Sequence, residues 1–288
     1  MTHGIYIMAN DRVIDNTIAL LNSIRLYDRK TPIVMIPYDK NCRKISEMVT
    51  QNFDVHIYED LEFLERLSKN LSDVFGRKFF ARPNQFRKQA CWFGLFDEFL
   101  YLDTDIIVFE KIIDSLRALS TYDFVCCDYQ NKRGINNIFT ENVLPKGIFK
   151  KNELQKIFNA GFWGSKKNLI SEKVLHDTFK ECADNLQYFD FSTKVSDMPI
   201  LNYLVLKKIH RKINLAQKPK KGPGSWAGMK HFQRKGNILI DPTVNKPLKY
   251  LHWAGIRIEP GCPYWDIWKY YRTLNPDLPF ENEKGFSK

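Results

Sequence analysis

Phe99-Leu100-Tyr101-Leu102-Asp103-Thr104-Asp105-Ile106-Ile107-Val108-Phe109 is the stretch on which the fold turns. Four apolar or aromatic residues lead into the acids and four lead out, the run expected of a central strand covered on both faces. Two residues apart in extended chain, Asp103 and Asp105 point to the same side. Two like charges buried together are costly unless something neutralises them. Hard carboxylate oxygens suit Mg²⁺ or Mn²⁺, ions that keep positions open for phosphate oxygens. The bland alternative is a strand that ends in a turn. Polar residues should then follow, whereas Ile106 to Phe109 resume the apolar run, so the acids sit at a break within a core strand.

Working outward, Ile5–Ala9 reads as a first strand, ending at Asn10-Asp11. Val13–Tyr27 has helical spacing, with Ile14, Ile18, Leu21 and Ile24 on one side. Pro32–Pro37 is a second strand ending at Tyr38-Asp39, Lys44–Gln51 a helix, and Phe53–Tyr58 a third strand. Strand, helix, strand, helix, strand implies an α/β fold with a mostly parallel central sheet. Further on, the reading gives a helix opened by Arg82-Pro83-Asn84, a short helix at Ile112–Leu119 and a strand at Tyr122–Cys127. Asn131–Lys151 is a long loop, and Phe158–Gly164 a strand with two glycines, where a ligand or backbone comes close. Leu169–Leu186 and Met198–Lys208 are helices. Lys218–Asn237, rich in Lys, Arg and Gly and without an acid, reads as a mobile basic loop. Tyr250–Gly255 is a late strand carrying His252, and Pro263–Tyr271 an amphipathic aromatic helix before a polar tail. Ligands of open α/β sheets bind beyond the carboxyl ends of the strands, where Asn10-Asp11, Tyr38-Asp39, Asp103-Thr104-Asp105 and His252 gather.

The bulk numbers set bounds. A chain of 288 residues with 44% hydrophobic and 14% aromatic content folds around a sizeable core and is not disordered. Its net charge of +11 calls for an anionic partner: a phosphorylated small molecule, an acidic glycan, a membrane surface or a nucleic acid. The cysteines, Cys42, Cys91, Cys126, Cys127, Cys182 and Cys262, show no CxxC spacing, which argues against zinc ribbons and for buried reduced thiols in a cytosolic protein. No stretch approaches a membrane span of about 20 apolar residues, and the first residues lack a signal-peptide pattern. The expectation is a cytoplasmic protein.

Taken together, three motifs in order, FLYLDTDIIV, FNAGFWGSK and LHWAG behind an N-terminal strand–helix–strand, resemble a GT-A glycosyltransferase, most similar to glycosyltransferase family 8, over roughly residues 4 to 258. The resemblance implies a nucleotide-sugar transferase domain over residues 1–258 and an acceptor-side C-terminal extension, the aromatic helix and tail of 259–288. It implies that Asp103, Asp105 and His252 hold Mn²⁺ or Mg²⁺ bridging a donor diphosphate, with Thr104 between the acids. Ala9, Asn10 and Asp11 would hold the nucleoside, although Asn10-Asp11 read equally well as a helix cap. Arg87 or Lys88 would meet phosphate or sugar, unless they form a solvated helix face. Asn159, Ala160 and Gly161 would line the sugar pocket, with Asn159 and Asp197 as catalytic candidates, Asp197 reading equally as a cap. Met198 departs from the polar neighbour of the pattern. Gly255 is followed by Ile256-Arg257 in place of Gly-x-x-Lys, so Arg257 stands in as phosphate contact. Lys220, Lys221 and Lys230 could close over the diphosphate with Trp226 as a lid, the alternative being a basic surface loop. The implied function is metal-dependent transfer of a sugar, UDP-linked, to a hydroxyl of a glycan or lipid-linked glycan with retention. The aromatic tail would make a peripheral contact with the cytoplasmic membrane face. No nucleic-acid partner is expected. The rival readings are a DxD phosphatase and a basic non-catalytic binder of nucleic acid or glycan.

Overall fold

Alternation along the central strands builds two faces. Ile5, Ile7, Leu100 and Leu102 pack into one buried cluster, and Tyr6, Phe99 and Tyr101 into another. Both clusters are apolar because helices cover both faces, so these strands read as continuous hydrophobic runs. The structure, a computed structural model, describes residues 1–127, 138–192, 196–217, 222–275 and 277–278.

The chain opens with β1 (His3–Ala9), α1 (Ile14–Tyr27), β2 (Ile33–Pro37), α2 (Arg43–Phe53), β3 (Val55–Ile57) and α3 (Leu61–Phe75). A 3₁₀ segment, Pro83–Phe93, then leads to β4 (Glu98–Leu102) and β5 (Ile106–Val108). A second 3₁₀ segment, Ile112–Ser120, precedes β6 (Phe124–Cys126), α4 (Lys151–Leu154), β7 (Phe162–Lys166), α5 (Glu172–Asp184), α6 (Met198–Lys208) and β8 (Lys212–Asn214). The C-terminal part holds β9 (Gln233–Lys235), β10 (Ile238–Asp241), β11 (Lys246–Pro247), β12 (Tyr250–His252) and α7 (Trp265–Arg272).

The main sheet has seven strands in the order β3-β2-β1-β4-β7-β6-β8. β7 alone among them runs antiparallel to its neighbours, so the sheet is α/β and mostly parallel, as expected. α1, α2 and the 3₁₀ turns of 112–120 cover one face; α3, α5 and α6 cover the other.

Four expectations need correction. The run from Phe99 to Phe109 is two strands. The chain turns at Asp103–Asp105, and β5 leaves the main sheet to pair antiparallel with β12, His252 opposite Ile106. Asn159–Gly161 precede β7 and are not part of it. The described part of the basic stretch is built rather than mobile. His252 N donates to Ser225 O (2.8 Å), Ala227 N donates to His252 O (2.9 Å), and 233–247 form a three-stranded sheet. Lys230 is exposed in the turn before it and Trp226 Nε1 donates to Ala254 O (3.0 Å), whereas Lys220 and Lys221, like residues 131–137 of the 131–151 loop, lie outside the described residues.

The fourth correction concerns the C-terminus. The aromatic face of α7 is turned inward: Ile267, Trp268 and Tyr271 are buried with Ala19, Ile107, Leu251 and Trp253. That face is therefore not presented to a membrane. Among the described residues no helix is long and apolar enough to cross one. Arg272, fully buried, donates from Nε to Asp15 Oδ1 of α1 (2.8 Å), and Asn22 Nδ2 donates to Tyr271 O (2.8 Å). All six cysteines are free, with Cys91, Cys126, Cys127 and Cys182 buried.

The Arg272–Asp15 pair makes the C-terminal helix testable. Removing one partner of a buried ion pair leaves an uncompensated charge, at a cost of about 3–5 kcal/mol. Arg272→Ala is expected to lower the urea unfolding midpoint accordingly, and Asp15→Leu combined with Arg272→Met to recover part of the loss. An unchanged midpoint for Arg272→Ala would show that α7 is an appendage.

Candidate functional site

β1, β2, β4 and β6 all end at one edge of the sheet, and a cleft of about 740 Å³ opens there. Its floor is the turn after β4. Asp103 N donates to Gly161 O (2.8 Å), and Trp253 N donates to Asp105 O (3.0 Å), so the acid turn is tied to the segment before β7 and to the end of β12. These ties, with the pairing of Ile106 and His252, bring three side chains together. One ligand atom from each of Asp103, Asp105 and His252 lies within 4.8 Å of the others. Asp105 Oδ1 and His252 Nε2 are 3.1 Å apart.

Gly161 is required by space. A Cβ there would sit 2.3 Å from His252 Cε1 and 3.0 Å from Asp103 Oδ2. Two hard oxygens and an imidazole nitrogen, converging over a residue with no side chain, fit a Mn²⁺ or Mg²⁺ ion.

On the other side of Asp103 stands Lys88. Asp103 Oδ1 accepts from Tyr101 Oη (2.7 Å) and Lys88 Nζ (3.2 Å), while Lys88 Nζ also lies 3.1 Å from Asp197 Oδ2. The ammonium sits 4.9 Å from the centre of the Tyr101 ring. Burial works against the charge on Lys88, but Asp103 and Asp197 outweigh it and hold its pKa above the usual lysine value. Burial also pushes the Asp197 carboxyl up; Lys88 pulls it back and Asp103 pushes it further, leaving it above the ordinary range. For Asp105, burial alone would raise the carboxyl, yet the neighbouring His252 holds it below that range. The cleft therefore sets the two acids Asp105 and Asp103 between the His252 imidazole and the Lys88 ammonium, with Asp197 beyond Lys88.

Of the residues singled out in the sequence, Ala9, Asn10, Lys88, Asp103, Thr104, Asp105, Asn159, Ala160, Asp197, His252 and Gly255 line this cleft, and Gly161 packs beneath it. Asn159 Oδ1 accepts from Gly161 N (2.9 Å) and shapes the approach to β7. Asp197 occupies the N-cap position of α6, and its side chain makes no capping hydrogen bond there, turning instead to Lys88.

Three candidates are placed elsewhere. Asp11 Oδ1 accepts from Ile45 N (2.9 Å) in the first turn of α2. The Arg87 guanidinium is turned away, donating to Ser68 Oγ (3.0 Å) and Pro37 O (3.2 Å). Arg257 is exposed and pairs with Glu259 at 3.1 Å. The cleft also takes in Tyr38, named above only for its place at a strand end, and Arg12, Asn16, Arg82, Gln85 and Ser196, to which the sequence reading gave no site role. Tyr38 alone carried a signal, its place at the end of β2. Met198, the departure noted above, lines the cleft as an apolar wall.

No family profile matches the chain and no curated protein matches it in sequence. Known structures share its architecture. It superposes on the apo form of WbbM, a bifunctional glycosyltransferase, with a TM-score of 0.60 at 16% identity, covering 96% of this chain and 50% of that one. The galactosyltransferase LgtC, solved in complex with donor and acceptor sugar analogs, gives 0.60 at 15% identity and 98% coverage of both chains. The apo form of the glycosyltransferase GlyE from Streptococcus pneumoniae gives 0.52 at 14% identity, over 96% of this chain and 61% of that one. The chain thus spans half the length of WbbM and nearly all of LgtC. At these identities the likeness establishes the fold, which is GT-A.

The space under His252 gives a direct test of the cation site. Gly161→Ala is expected to displace the imidazole and weaken Mn²⁺ binding by about tenfold or more, read by electron paramagnetic resonance titration, with the far-UV circular dichroism unchanged. Binding as tight as in the wild type would remove His252 from the ligand set.

Proposed function

We propose that the cleft is the active site of a metal-dependent glycosyltransferase, similar to family 8, that moves a sugar from a UDP-linked donor to a hydroxyl of a glycan with retention. The observation that carries this reading is the convergence of Asp103, Asp105 and His252 at the strand-end cleft of a GT-A fold, with the Lys88–Asp197 pair beside it. That LgtC was solved with donor and acceptor sugar analogs supports both halves of the reaction.

Asp103, Asp105 and His252 would hold a divalent ion, which would supply Lewis-acid stabilisation of a departing diphosphate. The chain's own groups do the rest. Tyr101 and Lys88 both hold Oδ1 of Asp103, which fixes that carboxylate's rotation. Lys88 is a buried donor, its charge favoured by Asp103 and Asp197, at the place where negative charge would build on the leaving group, and it requires no reorganisation. Asp197 presents a carboxylate to the same space, suited to stabilising positive charge that develops on the sugar ring. Asn159 and Ala160 close the wall against which the sugar would be oriented.

Calorimetric titration of nucleoside diphosphates tests this reading. UDP is expected to bind with Mn²⁺, to fail with EDTA, and to fail with Asp105→Ala. Absence of binding by any nucleoside diphosphate to folded wild-type protein would refute it. Asp197→Asn separates chemistry from binding: donor hydrolysis across a panel of UDP-sugars should fall by about 10²–10³-fold, with Mn²⁺–UDP affinity kept. Equal losses in both would make Asp197 a binding residue only.

A further inference from the structure

Asn202 lies inside α6 with no exposed surface. Its amide nitrogen donates to Met198 O (3.0 Å), in the first turn of the same helix, and to Phe158 O (2.8 Å), while its amide oxygen accepts from Phe158 N (3.0 Å). An asparagine amide carries two donor hydrogens, and both are used here. Phe158 presents a donor and an acceptor to this one amide, which fixes its orientation: with the ends exchanged, nitrogen would face N–H and oxygen would face oxygen. A buried amide satisfied in this way is costly to break, since the partners would be left unpaired in the interior.

These bonds join two segments that reach the cleft from different directions. On one side, Met198 directly follows Asp197, and both line the cleft. Asp197 O accepts from Leu201 N (3.1 Å), so the carboxylate rides on the first turn of α6. On the other side, Phe158 directly precedes Asn159-Ala160, the cleft wall that leads into β7. That wall runs between two ties: Phe158 to Asn202 at one end, and Gly161 O to Asp103 N (2.8 Å) at the other. One tie leads to the acid turn and the other to the helix that carries Asp197. Positions 158 and 202 are 44 residues apart, so the spacing of the two segments is set by this side chain and not by local backbone.

We propose that Asn202 is a positioning residue: by bonding Phe158 and Met198 at once, it fixes the gap between Asp197 and the Asn159-Ala160 wall in which the donor sugar would lie. This rests on reading the cleft as a nucleotide-sugar site. Asn202 acts through Asp197 and touches neither the metal-ligating side chains nor the β1 wall.

The test follows kcat for UDP-sugar hydrolysis, and Mn²⁺–UDP affinity by calorimetry, in Asn202→Ala and Asn202→Ser, each alone and combined with Asp197→Asn. Asn202→Ser keeps a hydroxyl that can donate to the carbonyl four residues back but is too short to reach Phe158. A small misplacement of a group at the reacting centre costs about a hundredfold in rate. Both variants are expected to lower kcat by about that factor and to keep Mn²⁺–UDP affinity. In the Asp197→Asn background they are expected to lower kcat no further, because a residue that acts through Asp197 then has nothing left to position. Wild-type turnover by either variant overturns the proposal and leaves the glycosyltransferase reading standing. An equal loss with and without the Asp197 substitution also overturns it, since Asn202 then acts on the fold at large, and so does a parallel loss of Mn²⁺–UDP affinity. If circular dichroism shows that Asn202→Ala does not fold, Asn202→Ser decides alone. Wild-type protein that hydrolyses none of the UDP-sugars and binds no nucleoside diphosphate fails the broader reading and the proposal with it.

Discussion

Asp103 and Asp105 repel each other at the end of a strand that is otherwise apolar, and the surrounding structure is arranged to offset that repulsion. From one side comes Lys88, on the 3₁₀ segment that precedes β4; from the other comes His252, at the end of a strand contributed from late in the chain. Neither is near the acids in sequence by accident of a single motif. Lys88 arrives because 83–93 lies under β1 and α3, and His252 because β5 leaves the main sheet and pairs with β12. Fifteen residues separate Lys88 from Asp103 and close to one hundred and fifty separate His252 from Asp105, so the partners of the two acids come together only when the whole domain folds.

How much of this was legible in the sequence depended on whether local pattern or distant pairing decided each feature. The strands β1, β2 and β4 were visible because helices cover both of their faces, which leaves uninterrupted apolar runs. The acid pair was visible for the same reason, as an interruption in such a run. Its geometry was not. An extended chain would place Asp103 and Asp105 on one side by alternation, whereas the observed convergence comes from a turn closed by hydrogen bonds to Gly161 and Trp253. Arg87 and Lys88 illustrate the limit well. Adjacent and similar in charge, they point in opposite directions, one into the cleft and the other to Ser68 and Pro37, and a 3₁₀ segment with its tighter turn does not carry the helical periodicity that would have told them apart.

The basic stretch and the aromatic C-terminus failed for a different reason. Gly, Pro and Lys in 218–237 signal a loop by composition, yet the part from Gly222 onward is held by partners far away. Asp241 accepts from Gly224 N at 2.9 Å, and Ser225 and Ala227 bracket His252. Composition reports what a segment lacks, here an apolar period, and says nothing about the backbone partners another segment brings. Likewise, the aromatic periodicity of 263–271 correctly announced a helix with an apolar face but could not say whether that face meets lipid or protein. Ala19 on α1 and Ile107 on β5 decide it by offering an apolar surface of matching extent.

That burial changes what the C-terminal helix is for. Arg12 and Val13, in the turn that leads into α1, and Asn16 in its first turn all lie on the wall of the cleft next to Tyr38. The same helix is gripped in its first turn through Asp15 by Arg272, and further along through Asn22 by the carbonyl of Tyr271, while Tyr27 Oη lies 3.2 Å from Tyr271 Oη. α1 is thereby held along its length by α7 as well as by the sheet. A wall that has to present a constant surface to a ligand cannot slide or tilt, and a helix packed on one face only is free to do both by small shear against the sheet. The segment that reads in sequence as a C-terminal extension is, in the folded chain, a brace for α1.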